Sequence, residues 1–402
     1  MKILVVSQYF WPENFKVNDL CIELKKQGNE VYVLTGKPNY PDGNYFKGYK
    51  FSGYSIDNYN DIVVNRVPML PRRNGSNINL ILNYFSFLLF ACFFVLFDKK
   101  KYDMVFSYAV SPITSVIPGI LVKFFYKTKF YIWIQDLWPE SAYVNNRIKN
   151  SFIKYILNKI VSIIYKNSDK IFIQAESMRI PIKKKLGNNY LKSNVIFLPN
   201  WAEDFYYNDI VENNKYSKLI PLEKFVVLFA GNIGSGIDIK SIIKTISLLV
   251  DNDNIKFIFI GGGSEKKYFH KKINELNLNK NVVFIKRYPP QEMPYFYKLA
   301  DLLFTSFRDD EIYSYTLPSK IPTYMASGKP LIAMANGQTS ITIKEANCGQ
   351  VVPSGDYKQL ASKIELLSKY SKEELKILGE NGKKYSKEIF NKYNIVNKIL
   401  NS

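Results

Sequence analysis

The sequence of 402 residues contains one histidine, His270, and three cysteines. His270 lies in a run of lysines and aromatic residues, so we expect it on a solvated helix surface. Unless His270 itself takes part, a histidine-based zinc site, a Ser-His-Asp triad and a Cys-His pair are all excluded. The cysteines show no disulfide or metal-ligand spacing, which is typical of a reducing compartment. Any chemistry must therefore use carboxylates, lysines, backbone dipoles or the substrate itself.

The chain also lacks a starting apolar run long enough for a signal peptide, because polar Ser7 and Gln8 follow the first apolar residues at once. We therefore predict a cytoplasmic protein. The formal net charge of +20 calls for an anionic partner, although a general enrichment in lysine is an alternative source of part of it. Because the lysines are dispersed and no nucleic-acid recognition motif is present, the predicted partner is an anionic membrane surface and not nucleic acid.

Short apolar runs alternate with helix-like stretches, and this pattern restarts near the middle of the chain. The runs lie at 2–6, 31–35, 103–107, 130–134, 171–174 and 195–198, and then at 225–230, 256–260, 282–285, 302–305 and 331–333. Short buried strands between helices are typical of parallel sheets covered on both faces.

This pattern predicts an α/β protein of two facing, Rossmann-like doubly wound domains at 1–200 and 201–385. The segment 386–402, at the end of a predicted helix over 370–400, is a candidate to pack back on the first domain. Ligands of such sheets bind outside the carboxyl ends of the strands. A cleft between the two domains is therefore the expected site.

The segment 78–97 stands apart because it is apolar, carries no charge and is flanked by Arg72, Arg73 and the lysines at 99–101. It is long enough to span a bilayer. A spanning helix would interrupt the predicted first domain between its strands, which disfavours that interpretation. A buried core helix is one alternative. We favour a helix that lies in the membrane interface, with its basic flanks on anionic headgroups.

The stretch 317–330 predicts a polar loop followed by a short helix. Ser319 and Lys320 fall at or just before the predicted helix N-terminus. Free backbone N–H groups and the positive end of the helix dipole favour a phosphate at that place. The alternative is an ordinary helix cap with a solvated lysine.

Short motifs along nearly the whole chain are weak singly but specific together. They are QYFWPEN at 8–14, NDL at 18–20, TG at 35–36, PNYP at 38–41, SP at 111–112, DLWPES at 136–141, LPNW at 198–201, GNIG at 231–234, PSK at 318–320, YMASGKP at 324–330 and CG at 348–349. With them the chain resembles the retaining glycosyltransferases of family 4, which have the GT-B fold, and among these the WbuB-like group of bacterial capsule and O-antigen assembly.

The resemblance implies transfer of a deoxy or N-acetylamino sugar, such as N-acetylfucosamine, from a UDP donor to a polyprenyl-diphosphate-linked acceptor. It implies no metal and no other cofactor. From the apolar segment 78–97 and its basic flanks we predict a peripheral location on the inner face of the cell membrane. The nucleotide sugar is expected in the C-terminal domain and the acceptor in the N-terminal domain.

For the sugar donor, the resemblance implies contacts from the glycine loop 231–236 and from two later segments. Lys320 matches a position that contacts the diphosphate and stabilises the leaving nucleotide electrostatically. Arg287 and Tyr288 match the loop that holds the base, and an exposed arginine with a packed tyrosine is the alternative. Thr323 occupies the place of a family glutamate that accepts from the ribose hydroxyls. The full predicted set is Asn232, Gly234, Ser235, Arg287, Tyr288, Ser319, Lys320, Thr323 and Tyr324.

On the acceptor side, Asp136 matches an acidic position of the family and directly follows a predicted strand. Either Asp136 or the departing phosphate is expected to receive the proton of the acceptor hydroxyl, and a helix cap is the structural alternative for Asp136. Glu13, Asn14 and Lys16 are predicted acceptor contacts on the first loop, where the lysine could meet a lipid diphosphate. Glu140 is expected to be structural.

Two other functions stay open. One is a UDP-sugar 2-epimerase of the same fold, which the single histidine and the apolar segment 78–97 disfavour. The other is a non-catalytic, membrane-bound partner subunit. It is suggested by Thr323, and by a glycine loop that is shorter than the family's and lacks its usual Arg or Lys.

Overall fold

The computed structural model describes residues 1–144, 148, 150–208 and 215–402. The chain forms two compact units, Met1–Leu198 with Lys392–Ser402, and Pro199–Asn391. We call them the first and the second domain. The corresponding sequence predictions are 1–200 and 201–385.

The first domain is built on an eight-stranded sheet in the order β3-β4-β2-β1-β5-β6-β7-β8, which is parallel except for the β3/β4 pair. Strand β5 is buried along its whole length, because helices cover both faces of the sheet. The strands are β1 (Lys2–Val6), β2 (Glu30–Gly36), β3 (Ser55–Tyr59), β4 (Ile62–Val67), β5 (Met104–Ala109), β6 (Lys129–Ile134), β7 (Lys170–Ile173) and β8 (Val195–Phe197).

The strand order reverses between β1 and β5, which is where open α/β sheets bind ligands. Right-handed crossovers to opposite sides of this point place the connecting helices on opposite faces. The helices are α1 (Lys16–Lys26), α2 (Asn77–Phe97), α3 (Ile117–Tyr126), α4 (Glu140–Val144), α5 (Ser151–Asn167) and α6 (Arg179–Leu186). Helix α3 contacts both α2 and α5, so these three lie side by side on one face.

The β3/β4 hairpin lies outside the predicted strands. Its turn is formed by Asn60 and Asp61, both with positive φ (51° and 56°). Asn and Asp tolerate this conformation, and two such residues close the tight hairpin turn that matches the twist of the strands. Strand β3 lies at the sheet edge, has the sequence SIDNY and buries none of its residues, so it is hard to recognise by hydrophobicity.

The second domain has a six-stranded sheet in the order β11-β10-β9-β12-β13-β14, with every pair parallel. The strands are β9 (Phe225–Ala230), β10 (Ile255–Ile260), β11 (Val282–Ile285), β12 (Leu302–Ser306), β13 (Leu331–Met334) and β14 (Gly349–Val352). Strand β14 was not predicted, and the other strands match predicted apolar runs. The predicted fold class of two doubly wound, parallel-sheet α/β domains is confirmed.

The helices of the second domain are α7 (Ile239–Leu248), α8 (Lys266–Glu275), α9 (Met293–Lys298), α10 (Glu311–Tyr315), α11 (Lys320–Ala326), α12 (Gly337–Glu345), α13 (Tyr357–Leu367) and α14 (Lys372–Ile389). His270 lies on α8 with an exposed side chain, as expected of a solvated helix face. Helix α11 has only seven residues and begins at Lys320, directly after Ser319.

The prediction of one C-terminal helix over 370–400 is wrong. Buried Phe390 ends α14 in the second domain, and a separate helix α15 (Lys392–Leu400) packs on α1 of the first domain. Lys392 Nζ lies 3.3 Å from Asp19 Oδ1, and the Tyr131 hydroxyl donates to the Ser402 carbonyl at 2.6 Å. A continuous helix could not bury Phe390 in one domain and the apolar face of α15 in the other.

Helix α2 covers the apolar segment 78–97. Of the helices that the structure describes, it alone is long and apolar enough to cross a membrane, and one third of its most apolar stretch is buried. Its inner face buries Leu80, Phe87, Ala91 and Val95, whereas its outer face is exposed. The interpretation as an enclosed core helix is therefore wrong. The exposed residues are Ile78, Ile81, Leu82, Phe85, Leu89, Phe93, Leu96 and Phe97.

Candidate active site

The glycine loop 231–236 follows the interior strand β9 and packs against the loop that follows β10. Gly261 has a φ of +146°, and a Cβ placed there would lie 2.0 Å from the Gly231 carbonyl oxygen. The Ile233 N–H donates to the Gly262 carbonyl at 2.8 Å. Only glycine permits this backbone-on-backbone packing. As a result the loop is thin, and Asn232 and Ser235 are exposed at the carboxyl end of the sheet.

The Lys320 ammonium lies beside this loop. Its Nζ is 3.9 Å from the centroid of the Phe229 ring, and a Cβ on Gly231 would be 3.3 Å from it. Removal from water lowers the pKa of Lys320 to about 7. Within the described part of the chain, Lys320 forms no ion pair. A desolvated cation without a counter-ion, next to an exposed glycine loop, makes this a site for an anion.

A second cation that was not predicted reaches the same loop. The Arg308 backbone N–H donates to the Gly236 carbonyl at 3.1 Å, and its Nη1 donates to the Ser235 carbonyl at 3.4 Å. Arg308 Nε also lies 3.4 Å from Asp310 Oδ2. The sequence signal is its place just after β12, because β12 is the neighbour of β9 in the sheet. The glycine loop has no basic residue of its own, and Arg308 supplies one.

The structure does not place Thr323 and Tyr324 at a ligand surface, so the prediction that they contact the sugar donor needs correction. The Thr323 side chain is 8% exposed, and its hydroxyl donates to the Lys320 carbonyl at 2.9 Å. The buried Tyr324 hydroxyl donates to the Ala230 carbonyl and accepts from the Ala230 N–H. Tyr324 therefore holds the point where β9 passes into the glycine loop, and it positions that loop. Ser319, in contrast, is exposed.

Arg287 and Tyr288 follow β11 at the edge of the same sheet. Strand β11 lies two strands from β9, which corresponds to about 10 Å. The Arg287 side chain is exposed. The Tyr288 ring packs against Tyr216 at 5.1 Å and against Phe296 at 5.0 Å between centroids. All the loops named for the sugar donor therefore lie at the carboxyl ends of the strands of the second sheet.

Replacing Gly261 with alanine is expected to lower both the melting temperature and the affinity of the loop for an anion such as inorganic diphosphate. The backbone conformation costs about 1–3 kcal/mol for a residue with a Cβ, and the contact with the Gly231 carbonyl adds to that cost. The neighbouring Gly262 is the matched control, because a Cβ there meets nothing within 4 Å. Calorimetric unfolding and titration with inorganic diphosphate test this for both variants, and equal effects at the two positions would contradict the packing described above.

In the first domain, Asp136 follows β6 and is exposed to solvent. Its Oδ2 accepts a hydrogen bond from the Ser111 hydroxyl at 3.3 Å. Although the residue is exposed, desolvation of its carboxyl group raises the pKa of Asp136, and hydrogen bonds from the backbone and side chain of Ser111 act in the opposite direction. Burial raises the pKa of the Tyr108 hydroxyl, as does the nearby Asp136 charge, while a hydrogen bond with the Lys16 backbone opposes them. Asp136 and Lys16 are thus brought together at Tyr108, at the carboxyl end of β5.

Glu13 is not presented to an acceptor, contrary to the prediction. It is 1% exposed, and its carboxylate accepts from the N–H groups of Phe10 (3.2 Å), Asn39 (2.8 Å) and Tyr40 (2.7 Å). Desolvation raises its pKa to about 7, and these hydrogen bonds act against that shift. Glu13 therefore ties two loops together. Its neighbour Asn14 is exposed, and Lys16 begins α1.

Glu140 forms an ion pair with Lys185, in keeping with a structural role. No group of three or more His, Cys, Asp or Glu side chains within the described ranges is placed to hold a metal ion.

Residues 211–385 match the protein-family model described as Glycosyl transferases group 1, and this range lies inside the second domain. The match covers less than half of the chain. Lys320 and the glycine loop lie within the part of the chain that has the family match.

Two curated proteins are similar to a larger part of the chain. The probable glycosyltransferase WbjE of Pseudomonas aeruginosa is 24% identical over 271 residues, covering 66% of each chain. The protein WcaI of Escherichia coli (strain K12), assigned by name to colanic acid biosynthesis as a glycosyl transferase, is 23% identical over 287 residues, covering 68% of this chain and 69% of WcaI. The chain thus aligns with about two thirds of the length of these relatives.

Among solved structures, Anabaena HepE in complex with UDP and glucose matches with a TM-score of 0.69. The match covers 100% of this chain and 98% of HepE at 14% sequence identity. At this identity the likeness shows a shared fold. The range 211–385 that matches the family model therefore belongs to a two-domain fold shared with HepE.

Proposed function

We propose that the protein is a retaining glycosyltransferase. It transfers a sugar from a UDP donor to a polyprenyl-diphosphate-linked acceptor in the synthesis of a bacterial surface polysaccharide, without a metal ion. The observation that carries this proposal is the Lys320 ammonium, which has no ion-pair partner among the described residues and lies beside the glycine loop, inside the range that matches the group 1 family. The name of WcaI supports a polysaccharide product, and the complex of HepE with UDP supports a UDP-linked donor.

In this proposal the diphosphate lies along Asn232, Gly234 and Ser235, within reach of Lys320 and Arg308. The spacing of about 10 Å between β9 and β11 allows the base of the same nucleotide to lie near Arg287. Ser319 offers its exposed hydroxyl as a further contact. A deoxy or N-acetylamino sugar, such as N-acetylfucosamine, is our proposal for the transferred group and rests on the WbuB-like motifs.

The reaction forms a bond between the acceptor oxygen and the anomeric carbon while the bond from that carbon to the phosphate oxygen breaks. The electron pair leaves with the nucleotide, and the positive charge of Lys320 stabilises the resulting diphosphate. The acceptor hydroxyl loses its proton to Asp136 or to the departing phosphate. Asp136 is suited to receive it because its exposed carboxylate has a raised pKa and a fixed partner in Ser111.

Release of UDP, measured with and without a lipid-linked acceptor, tests the proposed function. Acceptor-dependent release of UDP is expected from a transferase. A changed nucleotide sugar without acceptor would instead indicate the epimerase, and UDP binding without turnover under either condition would indicate the non-catalytic subunit.

We further propose that the first domain binds peripherally to the inner face of the cell membrane. The exposed face of α2 is extended by apolar side chains on α3 and α5, and Phe97 and Phe124 are 78% and 77% exposed. Large contiguous apolar patches on soluble proteins mark interaction sites. Exposed lysines border the three helices, which suits anionic headgroups. The added residues are Phe124, Phe125, Phe152, Ile153, Tyr155, Ile156 and Ile163, and the lysines are Lys99, Lys100, Lys101, Lys127, Lys159 and Lys166.

Replacing Phe85, Phe93 and Leu96 together with serine is expected to release the protein from anionic vesicles, because these side chains are exposed and are lost from the inserted face. The wild type should bind more tightly as the anionic lipid content rises, and high salt should release only part of it. Vesicle flotation measures both effects.

The matched control replaces three equally exposed residues of the second domain, Leu248, Leu276 and Ile377, with serine. That variant should stay on the vesicles. Unfolding of the first domain in the α2 variant, seen by calorimetry, would mean that the outer face of α2 is packed in solution, and the membrane proposal would fail.

A further inference from the structure

Arg72 lies in a cage of aromatic rings just before α2. Its guanidinium carbon is 5.7 Å from the centroid of Tyr9, 5.2 Å from that of Tyr40 and 6.0 Å from that of Tyr84. Nη2 donates to the Tyr84 hydroxyl at 3.3 Å, and the backbone N–H donates to Asn39 Oδ1 at 3.1 Å. Cation–π contacts with three rings hold the guanidinium in one place. The Arg72 guanidinium therefore has a defined position and is not a mobile surface side chain.

This guanidinium has no acidic partner among the described residues. The nearby carboxylate of Glu13 is taken up by three backbone N–H groups, and Asp57 pairs with the buried Arg66. A guanidinium has five N–H donors, and the Tyr84 hydroxyl accepts from one of its nitrogens. Because Arg72 is partly exposed, further donors are available to an anion from solution.

The cage adjoins the exposed face of α2. Tyr84 belongs to this helix, and the Asn83 side chain donates to the Leu70 carbonyl at 2.5 Å and to Asn39 Oδ1 at 3.5 Å. These contacts fasten the first turns of α2 to the loops that carry Arg72. The outer face of the same turns exposes Ile78, Ile81, Leu82 and Phe85. A fixed positive charge thus lies at one end of a long apolar surface.

We propose that Arg72 binds the phosphate of a polyprenyl-phosphate lipid whose chain lies along the outer face of α2. Planar N–H donors suit a phosphate because they bind two of its oxygens at once, and the apolar face accounts for a long hydrocarbon chain attached to that phosphate. The inference rests on the proposed function, in which the acceptor is a polyprenyl diphosphate, and it names the residue that recognises this lipid.

The test compares wild type, Arg72→Gln and Arg73→Gln on three kinds of vesicle. They consist of phosphatidylcholine alone, of phosphatidylcholine with a polyprenyl phosphate, and of phosphatidylcholine with phosphatidylglycerol at the same surface charge. We expect the wild type to prefer the polyprenyl phosphate vesicles. Arg72→Gln should bind them about 10-fold or more weakly, as expected for the loss of a charge-assisted contact.

Arg73→Gln is the matched control, because it removes the same charge from the exposed neighbouring side chain and should keep the preference. Equal weakening in the two variants would show that only overall charge matters and would overturn the proposal. Equal binding of wild type to both anionic vesicles would overturn it as well, since the headgroup would then be that of the bulk lipid. Inorganic diphosphate that displaces the protein from polyprenyl phosphate vesicles, at a concentration equal to that of the lipid phosphate, would also overturn the proposal. The hydrocarbon chain of the lipid would then contribute nothing to the affinity.

Arg72→Lys covers the case in which the Gln variant fails to fold. It keeps the charge but lacks the planar fork, so the preference for polyprenyl phosphate should shrink while binding to phosphatidylglycerol persists. Acceptor-dependent release of UDP, measured for every variant, separates this inference from the proposed function. Arg72-dependent lipid binding in a protein that transfers no sugar would leave the site intact and would refute the transferase.

Discussion

Replacing Lys320 with alanine is expected to lower kcat for sugar transfer by about 10²–10³-fold, which is typical for the loss of one group that stabilises developing charge. The reason is the position of the Lys320 ammonium beside the glycine loop and over the Phe229 ring, without a counter-ion in the described chain. Rates of UDP release with saturating acceptor measure the effect. Lys320→Met, which keeps the stem over the ring, should lose activity in the same way without losing stability.

The matched control is Lys376→Ala, which removes an exposed lysine of α14 that pairs with Glu380 at 3.7 Å. It should leave kcat unchanged. Near-normal activity in Lys320→Ala would mean that the PSK motif only starts a helix.

The pH dependence of UDP binding gives an independent readout of the same residue. Because the pKa of Lys320 is about 7 in the free protein, the ammonium is lost as the pH rises above 7. The affinity of the wild type for UDP should therefore fall between pH 7 and pH 9, by up to about tenfold per pH unit. Titrations of Lys320→Ala should lack this slope.

Asp136→Asn is expected to lower the transfer rate by about 10²–10⁴-fold, the range for loss of a group that moves a proton in the transition state. The variant keeps the size of the side chain and its hydrogen bond with Ser111 but removes the carboxylate that can take up a proton. Affinity for UDP should be unchanged, because Asp136 lies in the first domain and Lys320 in the second. Transfer rates and UDP titration together test both parts.

Asp61→Asn is the control for the loss of one negative charge in the same domain, because Asp61 is exposed in the β3/β4 turn and asparagine tolerates its positive φ. Its activity should match the wild type. Weaker UDP binding with a normal transfer rate in Asp136→Asn would contradict the role given to this carboxylate.

The fold class was predictable because its signal is local. Continuous apolar runs such as Phe225–Ala230 have no polar residue to place on an exposed face, so they must be strands buried on both sides. The β3/β4 hairpin was harder because β3 lies at the edge, where polar residues are tolerated. The interruption of the C-terminal helix depends on which domain buries Phe390. The residue pattern of the helix does not indicate that domain, so the interruption could not be predicted.

The candidate site was predictable in part. Motif matches pointed to the glycine loop and to Lys320, and the structure places these together at one sheet edge. The roles of Thr323, Tyr324 and Glu13 were not predictable, since motif position does not tell whether a polar group faces a ligand or a backbone partner. Arg308 and Arg72 lie outside the family motifs. They reach their sites only because strands distant in sequence are neighbours in the sheets.

The sequence by itself determined that the chain has two parallel-sheet domains, that histidine-based catalysis is excluded unless His270 takes part, and that one long segment is apolar between basic flanks. These properties follow from composition and from periodic patterns, which act over a few residues. Only the tertiary structure decided that α2 buries one face and exposes the other, and that the Glu13 carboxylate accepts hydrogen bonds from backbone N–H groups. It also decided that Lys320 is without a counter-ion in the described chain. Desolvation and hydrogen bonding depend on neighbours brought together by folding, and those neighbours are tens to hundreds of residues away along the chain.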